Sequence, residues 1–347
     1  MGGGNMQRFV TFGEIMLRLK SPGFERLLQN PHLEATFGGA EANVAVGLAH
    51  FGCEVSIVTV LPRNPIGDAC MNELRRHGVD TSLILREGNR VGIYFLEAGN
   101  NQRPSSVLYD RSGSGMTEVK KGDIPWDEVF TDTGWFHLSG ITPALSASAA
   151  EVSIEAVHRA KKASVTVSCD LNFRKKLWKY GREPRDIMDE VAGSSTIVIG
   201  NEEDYQRSLG IEAEVDVDGG TLDTGAYEEL TGKVLDRYPN LDAAAVTLRT
   251  SHSASHNTWQ AVLRSRKGFH ASRSFEIRNI VDRVGAGDAF SAGIIYAMSS
   301  GFGEADALEF AAAAGCLKHT IPGDFLFLNV DEVRALASGK GTGRIQR

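Results

Sequence analysis

Short apolar runs alternate with polar segments along the chain, and those in the first half are of an extended, strand-like type. They are rich in β-branched and aromatic residues and cover positions 9–19, 54–61, 91–98 and 105–110. The sequence GNNQRP at residues 99–104 separates the last two runs and is typical of a turn. The pattern therefore predicts extended segments in this half, the last two of them paired as a β-hairpin.

After about residue 135 the pattern changes to short, near-continuous apolar runs that are separated by helical segments. The apolar runs, typical of parallel strands covered on both faces, lie at 136–138, 165–171, 196–199 and 244–248. Helical patterns cover 146–162, 227–238, 286–300 and 304–319. This alternation predicts an α/β sandwich around a mostly parallel sheet, with a small accessory sheet made by the early hairpin segments. Internal repeats are absent from the sequence, and residues 216–225 are its most loop-like stretch.

The composition limits the binding partners and the cellular compartment that we expect for this protein. Basic residues number 37 against 44 acidic ones, and the net charge of -7 argues against nucleic-acid or anionic-membrane partners. The four cysteines are scattered without CxxC spacing, which favours free thiols in a reducing cytoplasm. We see neither an apolar run of membrane-spanning length nor a secretory signal. Residues 1–5 are expected to be a cloning remnant, and the location is predicted to be cytoplasmic.

The most informative segment is DRVGAGDAFSAG at residues 282–293, a glycine-rich turn that leads directly into a predicted helix. Glycines let the backbone approach a ligand closely, and a helix start offers unpaired N–H groups to an anion. We expect the amides of Gly285, Ala286 and Gly287 to stabilise charge on a transferring phosphoryl group. Asp288 would add negative charge to a simple anion site, but it suits a base that accepts a hydroxyl proton. The alternative is a glycine turn in which the aspartate caps the helix.

A second glycine motif, GGAEANVAVGLA, lies at residues 38–49. Gly38 and Gly39 precede a predicted helix whose first turn carries Asn43, and this side chain can hydrogen-bond substrate hydroxyls. The alternative is a tightly packed helix start without a ligand.

Together, the two motifs resemble those of the ribokinase-like (PfkB) carbohydrate kinases, and the resemblance runs from residue 9 to about residue 331. It implies a three-layer ribokinase-like sandwich with a β-sheet lid, and ATP and Mg²⁺ as cofactors. It also implies that Asp288 is the base, that Gly285–Gly287 form an anion hole, and that Gly39 and Asn43 hold the sugar. The expected domain covers residues 6–338, with lid segments at about 14–38 and 89–112.

Shorter motifs are similar to those of the 2-keto-3-deoxygluconate kinases within this family. They include TFGE at 11–14, GIYF at 92–95, YDR at 109–111, LSGITP at 138–143 and DLNFR at 170–174. The resemblance implies a sugar-acid pocket lined by Tyr94, Tyr109, Arg111, Ile141 and Arg174. The chemistry agrees, because a guanidinium group can bind a carboxylate through two hydrogen bonds. Surface salt bridges are the alternative role for both arginines.

Three departures from the family pattern concern the nucleotide side. Arg283 replaces a common threonine, and the family's Asn-x-x-Glu motif becomes Asn201 to Asp204, which we expect to act on Mg²⁺ through water. The usual glycine-rich nucleotide loop is replaced by RTSHSASHN at 249–257. The resemblance still implies a nucleotide site formed by Asn201, Thr247, Arg249, Ser251, Gly285, Gly287 and His319.

Two metal patterns are rejected. His252 and His256 have the spacing of zinc ligands on a helix, but they are predicted to lie in a loop without neighbouring ligands. Residues 216–220, DVDGG, lack the later ligands of a calcium loop.

The resulting hypothesis is a sugar kinase that phosphorylates the C6 hydroxyl of 2-keto-3-deoxy-D-gluconate. A kinase for fructose or a galactonate-derived keto acid is the nearest alternative, and a catalytically silent sugar-binding scaffold is the non-enzyme alternative. An NAD-dependent enzyme is disfavoured because no GxGxxG follows the first strand. The resemblance further implies a homodimer or higher homo-oligomer formed through the lid.

Overall fold

A computed structural model describes residues 8–212 and 224–341. The calcium-like segment 216–220 therefore lies outside the described residues, as do residues 1–7. The strands of the described part are β1 (Arg8–Phe12), β2 (Met16–Lys20), β3 (Glu34–Gly38), β4 (Val55–Val60), β5 (Ile84–Leu85), β6 (Ile93–Glu97), β7 (Ser106–Asp110), β8 (Thr133–Ser139), β9 (Thr166–Asp170), β10 (Ile197–Gly200), β11 (Ala243–Ser253), β12 (His256–Ser265), β13 (Phe269–Ala271) and β14 (Phe275–Arg278).

The helices surround these strands, and half of those in the described ranges connect one parallel strand to the next. They are α1 (Ala40–His50), α2 (Pro65–Arg76), α3 (Gly115–Glu118), α4 (Trp126–Val129), α5 (Ile141–Ala144), α6 (Ala147–Lys162), α7 (Pro184–Ala192), α8 (Glu202–Leu209), α9 (Thr224–Arg237), α10 (Ala286–Ser299), α11 (Glu304–Lys318) and α12 (Val330–Ala337). In the described part of the chain, no helix is long and apolar enough to cross a membrane.

The central sheet has the order β13-β12-β11-β10-β9-β8-β1-β4-β5, and β14 also pairs with β12. Neighbouring strands from β11 to β5 are parallel, whereas β12 pairs antiparallel with β11, β13 and β14. All the parallel strands thus direct their carboxyl ends to one edge, where open α/β sheets place ligands.

Successive residues of the strands face opposite sides of the sheet, and both sides are buried. Phe9 packs in a core with the apolar residues of α1, α2, α10 and α11, whereas Val10 packs in a second core with α6, α7 and α9. This explains the near-continuous apolar runs, because each side chain of a doubly covered strand is buried. The predicted three-layer α/β sandwich is confirmed.

A second, four-stranded sheet has the order β3-β2-β6-β7. Strands β6 and β7 pair antiparallel across the 99–104 turn, as the sequence predicts. The expectation of one extended segment over 9–19 is wrong, because β1 belongs to the central sheet and β2 to the small one. The chain crosses between the sheets at residues 13–15, where a Cβ on Gly13 would lie 2.1 Å from the carboxylate of Glu41.

Candidate active site

A cavity of about 500 Å³ opens where the carboxyl ends of the central strands meet the small sheet. Strands β9 and β10 contribute their last residues, and α1 and α10 begin at its wall. Of the residues predicted for the site, those that line the cavity are Gly39, Asn43, Tyr94, Tyr109, Arg111, Ile141, Arg174, Asn201, Asp204, Thr247, Arg249, Gly285, Ala286, Gly287 and Asp288. Sequence motifs separated by more than 200 residues therefore converge on one cavity.

The turn before α10 depends on glycine at one position. Gly285 has φ +84, in the left-handed region, and a Cβ there would lie 2.1 Å from the backbone oxygen of Asp324. Gly287 has open space around the position of a Cβ, so its backbone is accessible from the cavity. The first amides of the 14-residue helix α10 therefore present N–H groups to the cavity, as an anion site requires.

Asp288 lies in the first turn of α10, is half-buried and faces α1. The Nδ2 group of Asn43 donates a hydrogen bond of 2.6 Å to Oδ2 of Asp288. The backbone N–H of Gly39 donates to Oδ1 of Asn43 at 3.2 Å, which fixes the orientation of the amide. Burial raises the pKa of Asp288 to about 7, against the opposing effect of the Asn43 hydrogen bond. A carboxyl group with this pKa is suited to exchange a proton near neutral pH.

Helix α1 is anchored to the far side of the cavity by a buried carboxylate. Oε1 of Glu41 accepts hydrogen bonds from the backbone N–H and hydroxyl of Ser139, at 3.0 and 2.7 Å, and from the hydroxyl of Thr142 at 2.8 Å. The glutamate is 1% exposed, so it holds the helix start instead of contacting a ligand. These bonds fix Asn43 relative to the segment that carries Ile141.

The small sheet supplies an aromatic and cationic wall. The rings of Tyr94 and Tyr109 lie 6.0 Å apart, and the guanidinium carbon of Arg111 lies 5.5 Å from the Tyr109 ring centre. Nε of Arg111 donates to Oε2 of Glu14 at 2.6 Å, in a buried ion pair. The surface salt bridge considered for Arg111 is therefore excluded. The Tyr94 hydroxyl donates to Oδ1 of Asp324 at 2.6 Å.

Two further arginines meet the cavity with few protein partners. Arg174 is exposed, and Nη1 donates to the carbonyl of Phe173 at 2.9 Å. Among residues 8–212 and 224–341, Arg174 has no carboxylate within ion-pair distance, and for Arg249 we find neither an ion pair nor a hydrogen bond from its guanidinium. The two charges are close enough that Arg174 contributes, after burial, to lowering the pKa of Arg249. Their donors are therefore available to an anion in the cavity.

The segment predicted as a loop at 249–257 is instead a β-hairpin. Strand β11 continues to Ser253 and β12 begins at His256, with the two strands in antiparallel register. Arg283 anchors the hairpin, because Nε donates to the Ala254 carbonyl at 2.9 Å and Nη2 donates to Asn257 Oδ1 at 2.8 Å and to the Ser253 carbonyl. This arginine therefore connects the glycine-rich turn before α10 to the β11–β12 hairpin.

The predicted metal-side residues form a helix cap. The side chain of Asn201 accepts from the N–H of Asp204 at 3.0 Å, and Oδ2 of Asp204 accepts from the N–H of Asn201 at 2.8 Å. Oδ1 of Asp204 accepts from the N–H of Phe173 at 2.7 Å. Each carboxylate oxygen of Asp204 thus accepts one backbone hydrogen bond, and the residue lines the cavity.

Three predicted site residues do not line the cavity. Gly38 packs against Asp324, and Ser251 is exposed on the hairpin. His319 is fully buried against Trp259, and Nδ1 bonds to the Gly315 carbonyl at 2.8 Å. These contacts hold His319 behind Trp259, outside the cavity.

The histidine pair also differs from its prediction, because both residues lie in strands. The ring centres of His252 and His256 are 4.5 Å apart, and His256 bonds to Glu276 at 3.1 Å. In the described ranges, no group of three or more His, Cys, Asp or Glu residues could hold a metal ion.

Sequence reasoning assigned no role to two carboxylates that line the cavity, Asp170 and Asp324. Asp170 ends strand β9, and burial raises its pKa well above the ordinary value, with Asp204 and Asp288 adding to the effect. Asp170 lies at the end of a buried strand and begins the DLNFR motif, and this position could have indicated from the sequence that it lines the site.

The comparisons with known proteins agree with this geometry. A family model described as pfkB family carbohydrate kinase matches residues 6–329. The chain belongs to the pfkB family of carbohydrate kinases. The predicted family and the predicted sugar-kinase class are thereby confirmed.

Individual relatives of this pfkB-family kinase cover almost its full length. A crystal structure of 2-dehydro-3-deoxygluconokinase from Thermotoga maritima is 45% identical, covers 96% of this chain and 100% of its own, and superposes with a TM-score of 0.91. The 2-dehydro-3-deoxygalactonokinase of Haloferax volcanii is 32% identical over 96% of this chain and 98% of its own. The 2-dehydro-3-deoxygluconokinase of Bacillus subtilis is 26% identical over 91% of this chain and 90% of its own.

Proposed function

We propose that this carbohydrate kinase transfers the γ-phosphoryl group of ATP to the C6 hydroxyl of 2-keto-3-deoxy-D-gluconate, forming 2-keto-3-deoxy-6-phosphogluconate. The observation that carries the proposal is one cavity that contains a carboxyl group at a glycine-rich helix start and an arginine, Arg111, held by a buried glutamate. The Thermotoga and Bacillus relatives support the gluconate-derived substrate by their names. The Haloferax relative makes the galactonate-derived epimer the first alternative.

In the proposed step the C6 oxygen attacks the γ-phosphorus as its proton moves to Asp288. The bond between that phosphorus and the β,γ-bridging oxygen breaks, and its electron pair leaves with ADP. The amides of Gly285, Ala286 and Gly287 stabilise the charge on the transferring group. Asn43 holds Asp288 in place through its 2.6 Å hydrogen bond and lies next to the site of the attacking hydroxyl.

The sugar acid would lie between α1 and the small sheet. The Glu14 bond uses Nε of Arg111, so the terminal nitrogens remain to bind the substrate carboxylate through two hydrogen bonds. Tyr109 adds a hydroxyl donor, and Gly39 and Asn43 add polar groups at the start of α1. Ile141 adds an apolar contact on the cavity wall. A neutral sugar such as fructose has no carboxylate to form this charge-assisted pair with the guanidinium group.

We assign the other half of the cavity to ATP. Arg249 supplies guanidinium donors for phosphate oxygens, and Thr247 and Asn201 line the same wall. Arg174 also lines the cavity and keeps its expected role of binding the sugar acid, through the donors that do not bond to the Phe173 carbonyl. Residues 249–257 stand where the resemblance implies a glycine-rich loop, and Arg249 would contact the phosphates through its charged side chain. Ser251 and His319 stay outside this assignment because neither lines the cavity.

The residues present suit Mg²⁺ bound largely through phosphate and water oxygens. Asp204 keeps one lone pair on each oxygen, and Glu202 and Glu203 line the same wall, so hard oxygen donors are available without a closed protein cage. Asn201 and Asp204 would hold the ion through water. Bound there, Mg²⁺ would neutralise phosphate charge.

We further propose that residues 6–338 act as one kinase domain, with the small sheet as a lid over the sugar and a homodimer formed through that lid. The lid would exclude water and so limit wasteful hydrolysis of ATP. All four cysteines are free thiols, as suits a cytoplasmic enzyme.

The test is an ADP-release assay with 2-keto-3-deoxygluconate, its galactonate epimer, fructose and ribose. We expect turnover of the keto acids, with the gluconate-derived epimer preferred. Replacing Arg111 by alanine should raise KM for the keto acid about 10- to 100-fold, because a hydrogen bond to a charged group is worth about 1.5–3 kcal/mol.

The matched control is Arg90→Ala, which removes a neighbouring arginine that pairs with exposed Asp110 and does not line the cavity. Turnover of a neutral sugar alone would refute the substrate assignment. Binding of ATP without turnover of any sugar would favour a silent scaffold.

A further inference from the structure

One arginine of the small sheet, the proposed lid, is buried and does not itself line the cavity. Arg18 lies in β2 of the lid and is 1% exposed. Nη2 donates to Oδ2 of Asp282 at 2.5 Å, and Nη1 donates to Oδ1 of Asp324. These partners lie 264 and 306 residues away in the sequence. They belong to the two segments that flank the glycine-rich turn at residues 284–287, which is called the phosphate turn below because of its proposed role.

Asp282 shapes the phosphate turn directly. Its Oδ1 accepts from the N–H of Val284 at 3.1 Å, and its Oδ2 accepts from the N–H of Gly323 at 3.1 Å. Val284 immediately precedes Gly285, where the left-handed turn begins. The guanidinium group of Arg18 thus fixes the carboxylate of Asp282, and this carboxylate in turn fixes the backbone of Val284 at the start of the turn.

Asp324 closes the turn from the other side. Its backbone oxygen occupies the space next to Gly285, and its carboxylate accepts from both Arg18 and Tyr94, two residues of the lid. A second cation, Lys318, is fully buried nearby, but Nζ bonds to the Ile321 carbonyl at 3.1 Å. In the described part of the chain, the only ion-pair contacts of Asp282 and Asp324 within 4 Å are those with Arg18.

We propose that Arg18 is a positioning residue that couples docking of the lid to the catalytic shape of the phosphate turn. With the lid docked, one guanidinium pairs with both flanking carboxylates and fixes the amides that face the transferring phosphoryl group. Without it, two buried negative charges would lie beside a site that must bind polyanionic ATP. The enzyme would then be competent for transfer only with the lid over the sugar. This inference rests on the proposed function, whose chemistry uses that turn.

Several charged and polar groups face Asp288. Arg18 influences the pKa of Asp288 through one of them, Asp324. These groups are Asn43 and Glu41 of α1, Asp170 at the end of β9, Arg174, Lys318 and Asp324. The charge of Asp324 already raises the pKa of Asp288, after the larger effect of burial. Loss of the Arg18 cation leaves the negative charge of Asp324 without its ion pair, which should raise the pKa of Asp288 further. The pH below which activity is lost should therefore increase, and the rate should fall.

The experiment compares wild type, Arg18→Lys, Arg18→Ala and the control Lys20→Ala. Lys20 lies two residues along the same strand, and within residues 8–212 and 224–341 its one ion pair is with Glu34 of the small sheet, at 3.0 Å. Arg18→Lys keeps one positive charge but cannot bind both carboxylates. We expect folded Arg18→Lys to lose about 100-fold in kcat, as a small misplacement of catalytic groups does. In Arg18→Ala, which removes the cation, the acid limb of the kcat/KM profile should move to higher pH, and added guanidinium ion should restore part of the activity.

Hydrogen–deuterium exchange without sugar provides a readout independent of turnover. The amides of Val284 and Gly323, which bond to Asp282, should exchange at least about tenfold faster in Arg18→Lys and remain unchanged in Lys20→Ala. Unchanged exchange at both amides would overturn the proposal. So would a fall in kcat without a shift of the acid limb and without guanidinium rescue, which would indicate a merely structural role. Wild-type enzyme that turns over no sugar acid would refute the proposed function, while the exchange result would still decide the role of Arg18.

Discussion

The carboxyl group of Asp288 is subject to opposing influences that set its protonation near neutral pH. Burial raises its pKa to about 7, the hydrogen bond from Asn43 lowers it, and the charges of Asp324 and Glu41 raise it further. A base must be deprotonated to accept the hydroxyl proton. The active form is therefore present above pH 7 and is lost as the pH falls through that value.

We accordingly expect kcat/KM to decrease below about pH 7, measured by ADP release across pH 5–9. Asp288→Asn should lower kcat by about 10²–10⁴, the usual contribution of a general base, with a modest change in sugar binding. The control is Asp127→Asn, an exposed residue paired with Arg159 at the surface. Near-normal turnover of Asp288→Asn would show that the base assignment is wrong.

Single residues also mark the limit of what the sequence could predict. The motifs placed Asn43 and Asp288 in one site, but their hydrogen bond spans 245 residues and has no local signal. Arg18 stands between two leucines in a strand, where alternation alone indicates a solvent-facing side chain. Only the tertiary structure shows that this position faces the core, since its partners come from the far end of the chain.

At the scale of elements, the start of α10 depends on a backbone conformation as much as on side chains. The left-handed φ of Gly285 lets the chain enter the helix while the Asp324 carbonyl packs against it. The glycine-rich sequence predicted this turn correctly, because few other residues adopt that conformation without cost.

Gly285→Ala should therefore destabilise the protein by about 1–3 kcal/mol or more, from backbone strain and the clash with the Asp324 carbonyl, and should lower kcat. Thermal unfolding measures the first effect and ADP release the second. Gly287→Ala is the matched variant for stability, because a Cβ there meets no atom within 4 Å. Equal melting temperatures for the two variants would contradict the argument.

Strands β11 and β12 show where local patterns fail. Residues 249–257 are rich in serine and histidine, and such composition indicates a loop. Pairing with the partner strand determines their conformation instead, and Arg283 adds bonds from a segment about 30 residues away. The β-propensity of a segment depends on its neighbours in the sheet, which the sequence window does not contain.

On the scale of the whole molecule, the lid has an exposed apolar edge. Strand β7 is an edge strand of the small sheet, and Leu108 on it is 59% exposed. Phe24 and Leu28, in the segment between β2 and β3, are 49% and 71% exposed. An unpaired edge with apolar side chains favours association with a second copy.

We expect the purified protein to be a dimer in light scattering coupled to size exclusion. Leu108→Lys should shift it toward the monomer, because a charge on the edge strand opposes pairing. Ile66→Lys is the control, since this exposed residue lies in α2 and outside the lid. A wild-type monomer, or an unchanged dimer in Leu108→Lys, would refute association through this edge.

The close packing of α1 against α10 has a consequence for how such an enzyme can change its substrate. A Cβ on Gly47 would lie 2.9 Å from the Cβ of Ala292, so the two helices are already at near-minimal separation. Asn43 and Asp288 lie in their first turns, and the distance between them is therefore set by a rigid pair of helices. The small sheet, by contrast, supplies Tyr94 from β6, Tyr109 from β7 and Arg111 from the position that follows β7. In the proposed sugar site, a new sugar can thus be accommodated by exchanging side chains of this sheet, while the distance over which the proton moves stays constant.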